Sequence, residues 1–414
     1  MLDNLIDKIT SDATYELFFI FSGSFILYTL QKIYITLKNI KYKIRLRLEI
    51  SNYKKRKYAI NVVDLANGDP EFEKKNILSR EVSIFGSHRS LFVSMPSQIL
   101  EKIIARERGA GYIDSQLSKF QPDTSFNGKD HFDDLAELTE IKELPDLIEK
   151  HKTIVGQKFL ESKNGLIFNG EKYGVFNLRF TRFGDDEKPG VEIDFFKTDY
   201  FTHRVFRSVY HALKEIRHPI SSAGVSDFLK YKPFFTSFGI NALLICEGSR
   251  GKEIILSKRS NRVHGSIPRY HITMNEGLSQ TDKDPFGKVD LELCFKRGLL
   301  EELGINEKLY QHAVKASFYD FFLEKNNFEI GLSSVFEINL DFEKDIEPLI
   351  ARDKHLEVDS FVSVPLNTRD IENFVLNNHF IPHGLYVLER VLLRENISVA
   401  KGITNAYLTL GDGS

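Results

Sequence analysis

The sequence predicts an N-terminal transmembrane helix, an α+β region after it, and a C-terminal α/β sandwich. Three observations carry that expectation. Residues 17–37 are rich in Phe, Ile, Leu and Tyr and are interrupted by Gln31 and Lys32; residues 173–183 and 191–196 alternate around a Gly- and Asp-rich turn; and from residue 238 two strand-like runs are followed by a loop, a helix, further strands and a last helix. The predicted boundaries are 1–16 for a short extracytoplasmic N-terminus, 17–37 for the transmembrane helix, 38–59 for a polybasic segment, 60–235 for the α+β middle domain and 236–414 for the C-terminal domain.

Composition sets the outer limits. A chain of 414 residues with 42% hydrophobic and 28% charged residues has the balance of a folded protein of two or three domains. Its net charge of −2 argues against a general nucleic-acid coat and so against a DNA or RNA duplex as partner, although local cationic clusters remain able to bind phosphate. The two cysteines, Cys246 and Cys294, fall in predicted core elements without CxxC spacing, so neither zinc nor a disulfide framework is indicated.

Residues 17–37 are twenty-one in number, and at about 1.5 Å per residue a helix of that length crosses the roughly 30 Å hydrocarbon layer. The preceding residues carry Asp3, Asp7, Asp12 and Glu16 against Lys8, unlike the basic start of a cleaved signal peptide. On the other side, residues 32–57 hold ten Lys and Arg against Glu49 alone. The positive-inside rule then predicts a single pass with the C-terminal domains cytoplasmic, and the basic flank is suited to anionic membrane lipid. Ser22-Gly23-Ser24 offers the small surface that helices use to pack in lipid.

Within 60–235, residues 96–108 read as a helix and residues 133–150 as one or two acidic helices interrupted at Pro145. A hairpin follows over 173–196, and then a helix over 205–216. Asp199-Tyr200-Phe201-Thr202-His203, at the entry to that helix, is weighed as a ligand contact against the commoner role of aromatic residues in a core.

In the C-terminal domain, 238–247 and 253–259 read as paired strands, 315–323, 329–340 and 358–366 as further strands, and 382–393 as a helix with proline near its start. Lys258, Arg259, Arg262 and Arg269 precede a loop, Tyr270-His271-Ile272-Thr273-Met274-Asn275-Glu276-Gly277, and make a candidate anion site because a guanidinium binds phosphate oxygens in pairs. His271, Asn275 and Glu276 in the loop, with Arg297 beyond it, complete the candidate ligand-binding set.

The stretch Arg297-Gly298-Leu299-Leu300-Glu301-Glu302-Leu303-Gly304-Ile305 resembles the Nudix box, Arg-Glu-apolar-x-Glu-Glu-x-Gly-apolar. The arginine, both apolar positions, the Glu-Glu pair and the glycine are kept. The glutamate expected after the arginine is Gly298, and the one expected eight residues upstream falls on Val289. From Gly277 to Arg297 there are also six more steps than the family's usual fourteen, and Asp284-Pro285-Phe286-Gly287 is the expected extra turn. The resemblance implies a Nudix-like α/β sandwich over roughly 236–400. It also implies Mg²⁺ on Glu301, Glu302 and Glu276 if the box is active, and no metal cofactor if the loss of a carboxylate at 298 has silenced it. Catalysis would then rest on Glu301 and Glu302. A glycine costs a helix roughly 1 kcal/mol relative to alanine, so Gly298 suggests close approach of another segment.

An anchor helix, a cytoplasmic α+β region and a degenerate Nudix domain together resemble the transmembrane-Nudix effectors of bacterial cyclic-oligonucleotide antiphage signalling (CBASS). That resemblance implies a nucleotide second messenger as ligand, oligomerisation, and disruption of the inner membrane. Two alternatives stay open: a membrane-bound Mg-dependent pyrophosphohydrolase of nucleoside diphosphate derivatives, and a protein-binding domain that keeps the box for packing alone.

Overall fold

Strands that are apolar without alternation are buried on both faces, and the run Phe238–Gly248 lies inside a large mixed sheet. The structure, a computed structural model, describes residues 29, 32–34, 62–65, 82–85, 89–108, 132–162, 169–185, 187–248, 251–259, 269–352, 358–395 and 397. The chain divides into two compact units, Met1–Arg56 and Lys57–Ser414. In the first unit Thr29 and residues 32–34 are described and are helical. The rest of the expected transmembrane helix at 17–37, and the polybasic segment 38–59, lie outside the described residues. Among the described residues no helix is long and apolar enough to cross a membrane.

The second unit contains β1 (Val62–Asp64), β2 (Val82–Phe85), β3 (Glu171–Phe183), β4 (Lys188–Asp199), β5 (Phe238–Gly248), β6 (Gly251–Arg259), β7 (Tyr270–Ile272), β8 (Met274–Gly277), β9 (Ala313–Glu324), β10 (Glu329–Asp341) and β11 (Val358–Pro365). Its longer helices are α1 (Ser97–Arg108), α2 (Asp133–Thr139), α3 (Leu144–Glu161), α4 (Tyr200–Glu215), α5 (Leu291–Leu303), α6 (Thr368–Asn377) and α7 (Pro382–Arg394). An eight-stranded sheet has the order β1-β9-β10-β5-β6-β11, with β7 paired to β6 and β8 to β5. Only the β10–β5 pairing in it is parallel.

Alternate residues of β5 serve different faces of this sheet. Ile240, Ala242, Leu244 and Cys246 join the core that holds Phe295 and Leu299 of α5. Leu243 and Ile245 are equally buried but outside that cluster. Helix α7 packs against β5, β7, β9 and β10, with the Tyr386 ring 5.0 Å from that of Phe322. The result is a mixed α/β sheet with helices against both faces, to which β1, from before the expected 236–400 range, adds an edge.

The middle region forms a second sheet, β2-β4-β3, whose hairpin closes at Phe183↔Lys188 as the alternation predicts. Pro145 sits in the first turn of α3 and Glu140 takes a left-handed conformation after α2, which divides the acidic stretch into two helices. Helix α4 begins at Tyr200, five residues before the expected start, because the Asp199 carboxylate accepts a hydrogen bond from Thr202 N at 2.7 Å and caps it there. One hydrophobic core joins the two sheets. The ring of Phe195 lies 5.3 Å from Phe238, Phe180 6.1 Å from Phe321, and Phe235 stacks on Phe328 at 5.0 Å.

Candidate functional site

The stretch 270–277, expected as a loop, is two short strands with a switch between them. Ile272 pairs with Leu256 on β6, whereas Met274 pairs with Ala242 on β5. Thr273 makes the join: its hydroxyl donates to Ile255 O and accepts from Leu244 N at 2.8 Å. Strand β8 thereby runs along the side of α5. That helix starts where Asp290 accepts from Glu292 N at 2.8 Å and ends at Gly304, whose φ of 76° suits glycine.

Gly298 faces β8 directly. A Cβ added there would stand 2.7 Å from both the Glu276 Cβ and the Met274 Sδ. The close approach suggested by a glycine in mid-helix is therefore real, and it is the loop carrying the candidate ligands that approaches. Arg297, one residue earlier, ties the two elements together. Its Nε and Nη2 donate to the two oxygens of Asp282 at 2.8 and 2.9 Å, and Nη2 also reaches Gly277 O at 2.7 Å. Its Nη1 donates to Glu276 at 2.8 Å and to Glu301 at 3.3 Å. Glu301 accepts a second cation, Arg352, at 2.6 Å, and Glu302, which is buried, accepts Asn275 N at 3.0 Å.

The electrostatics follow from that arrangement. Burial works against the charge on Arg297, but Asp282 and Glu276 outweigh it and raise its pKa further. Burial raises the Glu276 carboxyl against the pull of Arg297, and burial also raises the Cys294 thiol beneath them. Asp282, which supplies the two-pronged partner for Arg297, was not anticipated. It lies in the extra length between loop and box, where Asp284 accepts Phe286 N and Lys288 N at 2.9 and 2.8 Å to form the expected turn.

Mg²⁺ requires hard oxygen ligands in near-octahedral array. Here a guanidinium takes up oxygens of Glu276 and Glu301, a backbone amide takes up Glu302, and the missing carboxylate position is filled by the packing of Glu276 on Gly298. The residues present do not fit the metal. Among the described residues no group of three or more His, Cys, Asp or Glu side chains is arranged to hold one.

The other candidate ligands lie elsewhere. Lys258 is 3.6 Å from Asp359, Arg259 is 7% exposed, and Arg259 N donates to Arg269 O at 2.9 Å. They meet where β6 passes into β7, whereas Glu276 lies on β8, paired to Ile240 of β5. Arg262 lies outside the described residues. His271 is fully buried, edge-on to His383 at 4.6 Å. The structure thus brings Asn275, Glu276, Arg297, Glu301 and Glu302 together, and it places Lys258 and Arg259 on β6. Because Arg259 is buried, a substitution there also acts on the fold.

No protein-family description matches this chain, and no curated protein matches it. Solved structures do. The Nudix domain of Shewanella oneidensis NrtR, complexed with ADP ribose, matches with 14% identity and a TM-score of 0.26 over 38% of this chain and 87% of that one. A bifunctional NMN adenylyltransferase/ADP ribose pyrophosphatase from Francisella tularensis matches with 17% identity and a TM-score of 0.29, over 47% of this chain and 48% of that one. The same protein complexed with AMP and a manganese ion matches with 17% identity and a TM-score of 0.26, over 39% and 42%. The chain spans less than half the length of that bifunctional protein. Its structural neighbours are Nudix domains, at low identity and over part of the chain.

At the entry to α4, Phe201 and Thr202 are core residues, and His203 is buried with its Nε2 3.2 Å from Glu329. Glu329 lies opposite Glu324 across the β9–β10 pair. Burial opposes the charge of both. In Glu329, His203 and Arg207 outweigh burial and bring the carboxyl to about 2, whereas in Glu324 burial and the neighbouring Glu329 push it up to about 7. A carboxyl raised from 4.5 to about 7 holds its proton in the fold and releases it in the unfolded chain between those values. Its contribution to stability is therefore present below pH 4.5 and is lost as pH rises through 7, by about 3 kcal/mol in all. Glu324→Gln should flatten this slope, measured as urea midpoints between pH 4.5 and 7.5. An unchanged slope would show that Glu324 does not titrate in that range.

Proposed function

We propose that the C-terminal region binds a nucleotide without hydrolysing it, the box helix serving to fix the loop that carries Asn275 and Glu276. The observation that supports this most is Gly298 where the box pattern has a glutamate, its face covered by Glu276 and Met274 of β8 so that no carboxylate fits there. The expected result is binding without turnover. Purified protein with Mg²⁺, offered nucleoside diphosphate derivatives and cyclic di- and trinucleotides, should retain a ligand intact in calorimetry and release neither phosphate nor nucleoside monophosphate. Metal-dependent cleavage that disappears in Glu301→Gln with Glu302→Gln would establish the hydrolase instead.

The output of binding is a membrane event in this reading, a sensor and effector of antiphage signalling that gathers in the inner membrane when its cyclic oligonucleotide arrives. Its support is the sequence of residues 17–59: an apolar stretch of spanning length, a small-residue patch for self-association and a basic flank that keeps the C-terminus cytoplasmic. A reporter fused after Ser414 should work only in the cytoplasm. Deleting residues 1–37 should leave nucleotide binding intact and abolish toxicity to the host cell; a toxic truncation would separate the two.

A further inference from the structure

The box helix does not stand alone at its open side, because the middle region is stitched to it there. Gln280, just past β8, donates from Nε2 to Lys172 O at 3.1 Å and to Thr198 O at 2.9 Å. Tyr173 N donates to Leu278 O at 3.2 Å. These bonds hold the start of β3 against Gly277, so that the Lys172 amine stands 2.8 Å from where a Gly277 Cβ would be. Among the described residues beyond Gly277 and its chain neighbours, no other atom lies within 4 Å of that point. The amine is 5.9 Å from the centre of the Tyr200 ring, and the Arg204 guanidinium is 5.7 Å from it while donating to the Tyr200 hydroxyl at 2.9 Å.

What distinguishes Lys172 and Arg204 from their neighbours is charge balance. Arg297 is surrounded by Glu276, Asp282 and Glu301, and Arg207 lies 3.6 Å from Glu329. Among the described residues neither Lys172 nor Arg204 forms an ion pair, and their polar partner is one neutral tyrosine. Two cations without a close ion-pair partner among the described residues, held around one half-buried aromatic ring beside a backbone position with no side chain, are suited to an anion that carries a flat group, with the Lys172 charge also drawing on the Glu276 carboxyl. We infer that Lys172, Arg204 and Tyr200 form the phosphate clasp for the bound nucleotide, with the diphosphate taken by the two cations beside Gly277. This rests on the nucleotide-binding reading, and it moves the anion site from the Lys258–Arg269 cluster to the seam between β3, α4 and β8.

The test is calorimetry on the full chain with two probes, ADP and inorganic pyrophosphate. Lys172→Gln with Arg204→Gln should weaken both at least tenfold, because both cationic contacts are lost, while Lys258→Gln should leave both unchanged. Lys172→Arg should retain binding. If the double variant melts early, the wild-type chain answers in its place: pyrophosphate should protect Lys172 from reductive methylation, and undiminished labelling would overturn the clasp. Equal binding by variant and wild type would also overturn it and leave the nucleotide reading standing. If wild type binds neither probe yet binds a cyclic nucleotide, the clasp fails alone; if it binds no nucleotide of any kind, both fail.

Discussion

Asp320→Ala should cost the fold about 3–5 kcal/mol, the usual penalty for removing one partner of a buried ion pair. Asp320 is 2% exposed on β9, and it accepts Arg390 Nε at 2.9 Å, Arg390 Nη2 at 2.6 Å and Arg394 Nη2 at 2.8 Å. Burial alone would raise its carboxyl. The two arginines outweigh that and hold it below its ordinary value of 3.8. Because the folded value is depressed, the stabilisation is complete above that ordinary value and is lost as pH falls below it. Substitution by alanine leaves two guanidinium groups inside the α7 face without the carboxylate they share. Replacing all three members, Asp320→Leu with Arg390→Met and Arg394→Met, should recover part of the loss, since an apolar set avoids the desolvation of all three charges. Denaturant unfolding of the three proteins measures this. A loss below about 1 kcal/mol in Asp320→Ala would mean that water reaches the network.

Neither Asp320 nor Arg390 stood out in the sequence, and the reason is physical. Both sit in apolar elements, in Phe-Tyr-Asp-Phe-Phe and in Leu-Glu-Arg-Val-Leu, where periodicity assigns a face but cannot say that two charges meet across it. The strands of the large sheet were legible because they are largely apolar and buried on both faces over seven or more residues, as in β5, β9 and β10. Helix α6 was not. Its core contacts are Ile371 and Val375, too few for a periodic signal, and its start depends on Asn367 accepting Asp370 N at 3.0 Å. The same limit governs the site. The box arginine and both glutamates were readable from spacing, but their partners come from β8, from the insertion at Asp282 and from Arg352. Which partner a charge finds is set by tertiary approach. Lys258 and Arg269 were grouped with Glu276 by closeness in sequence, whereas Lys258 pairs with Tyr270 on β7 and Glu276 with Ile240 on β5.

Gly298→Ala should destabilise the protein by about 1–3 kcal/mol, the range for an overpacked core, even though alanine is the better helix former by about 1 kcal/mol. Packing and propensity oppose each other here, and the distances decide between them. The new Cβ would stand 2.7 Å from the Glu276 Cβ, which is fixed to the backbone of β8 and cannot swing aside. Strand or helix must shift, and the 2.8 Å bond from Arg297 to Glu276 is the first to lengthen. Gly298→Glu, which rewrites the box to its full pattern, should lose still more stability and gain no Mg-dependent cleavage, since the added carboxylate would be forced against β8 and away from Glu301 and Glu302. Thermal melting and a phosphate-release assay on both variants test this. A more stable Gly298→Ala would refute the packing argument, and cleavage by Gly298→Glu would mean that Arg297 yields its carboxylates to a metal when a third one is supplied.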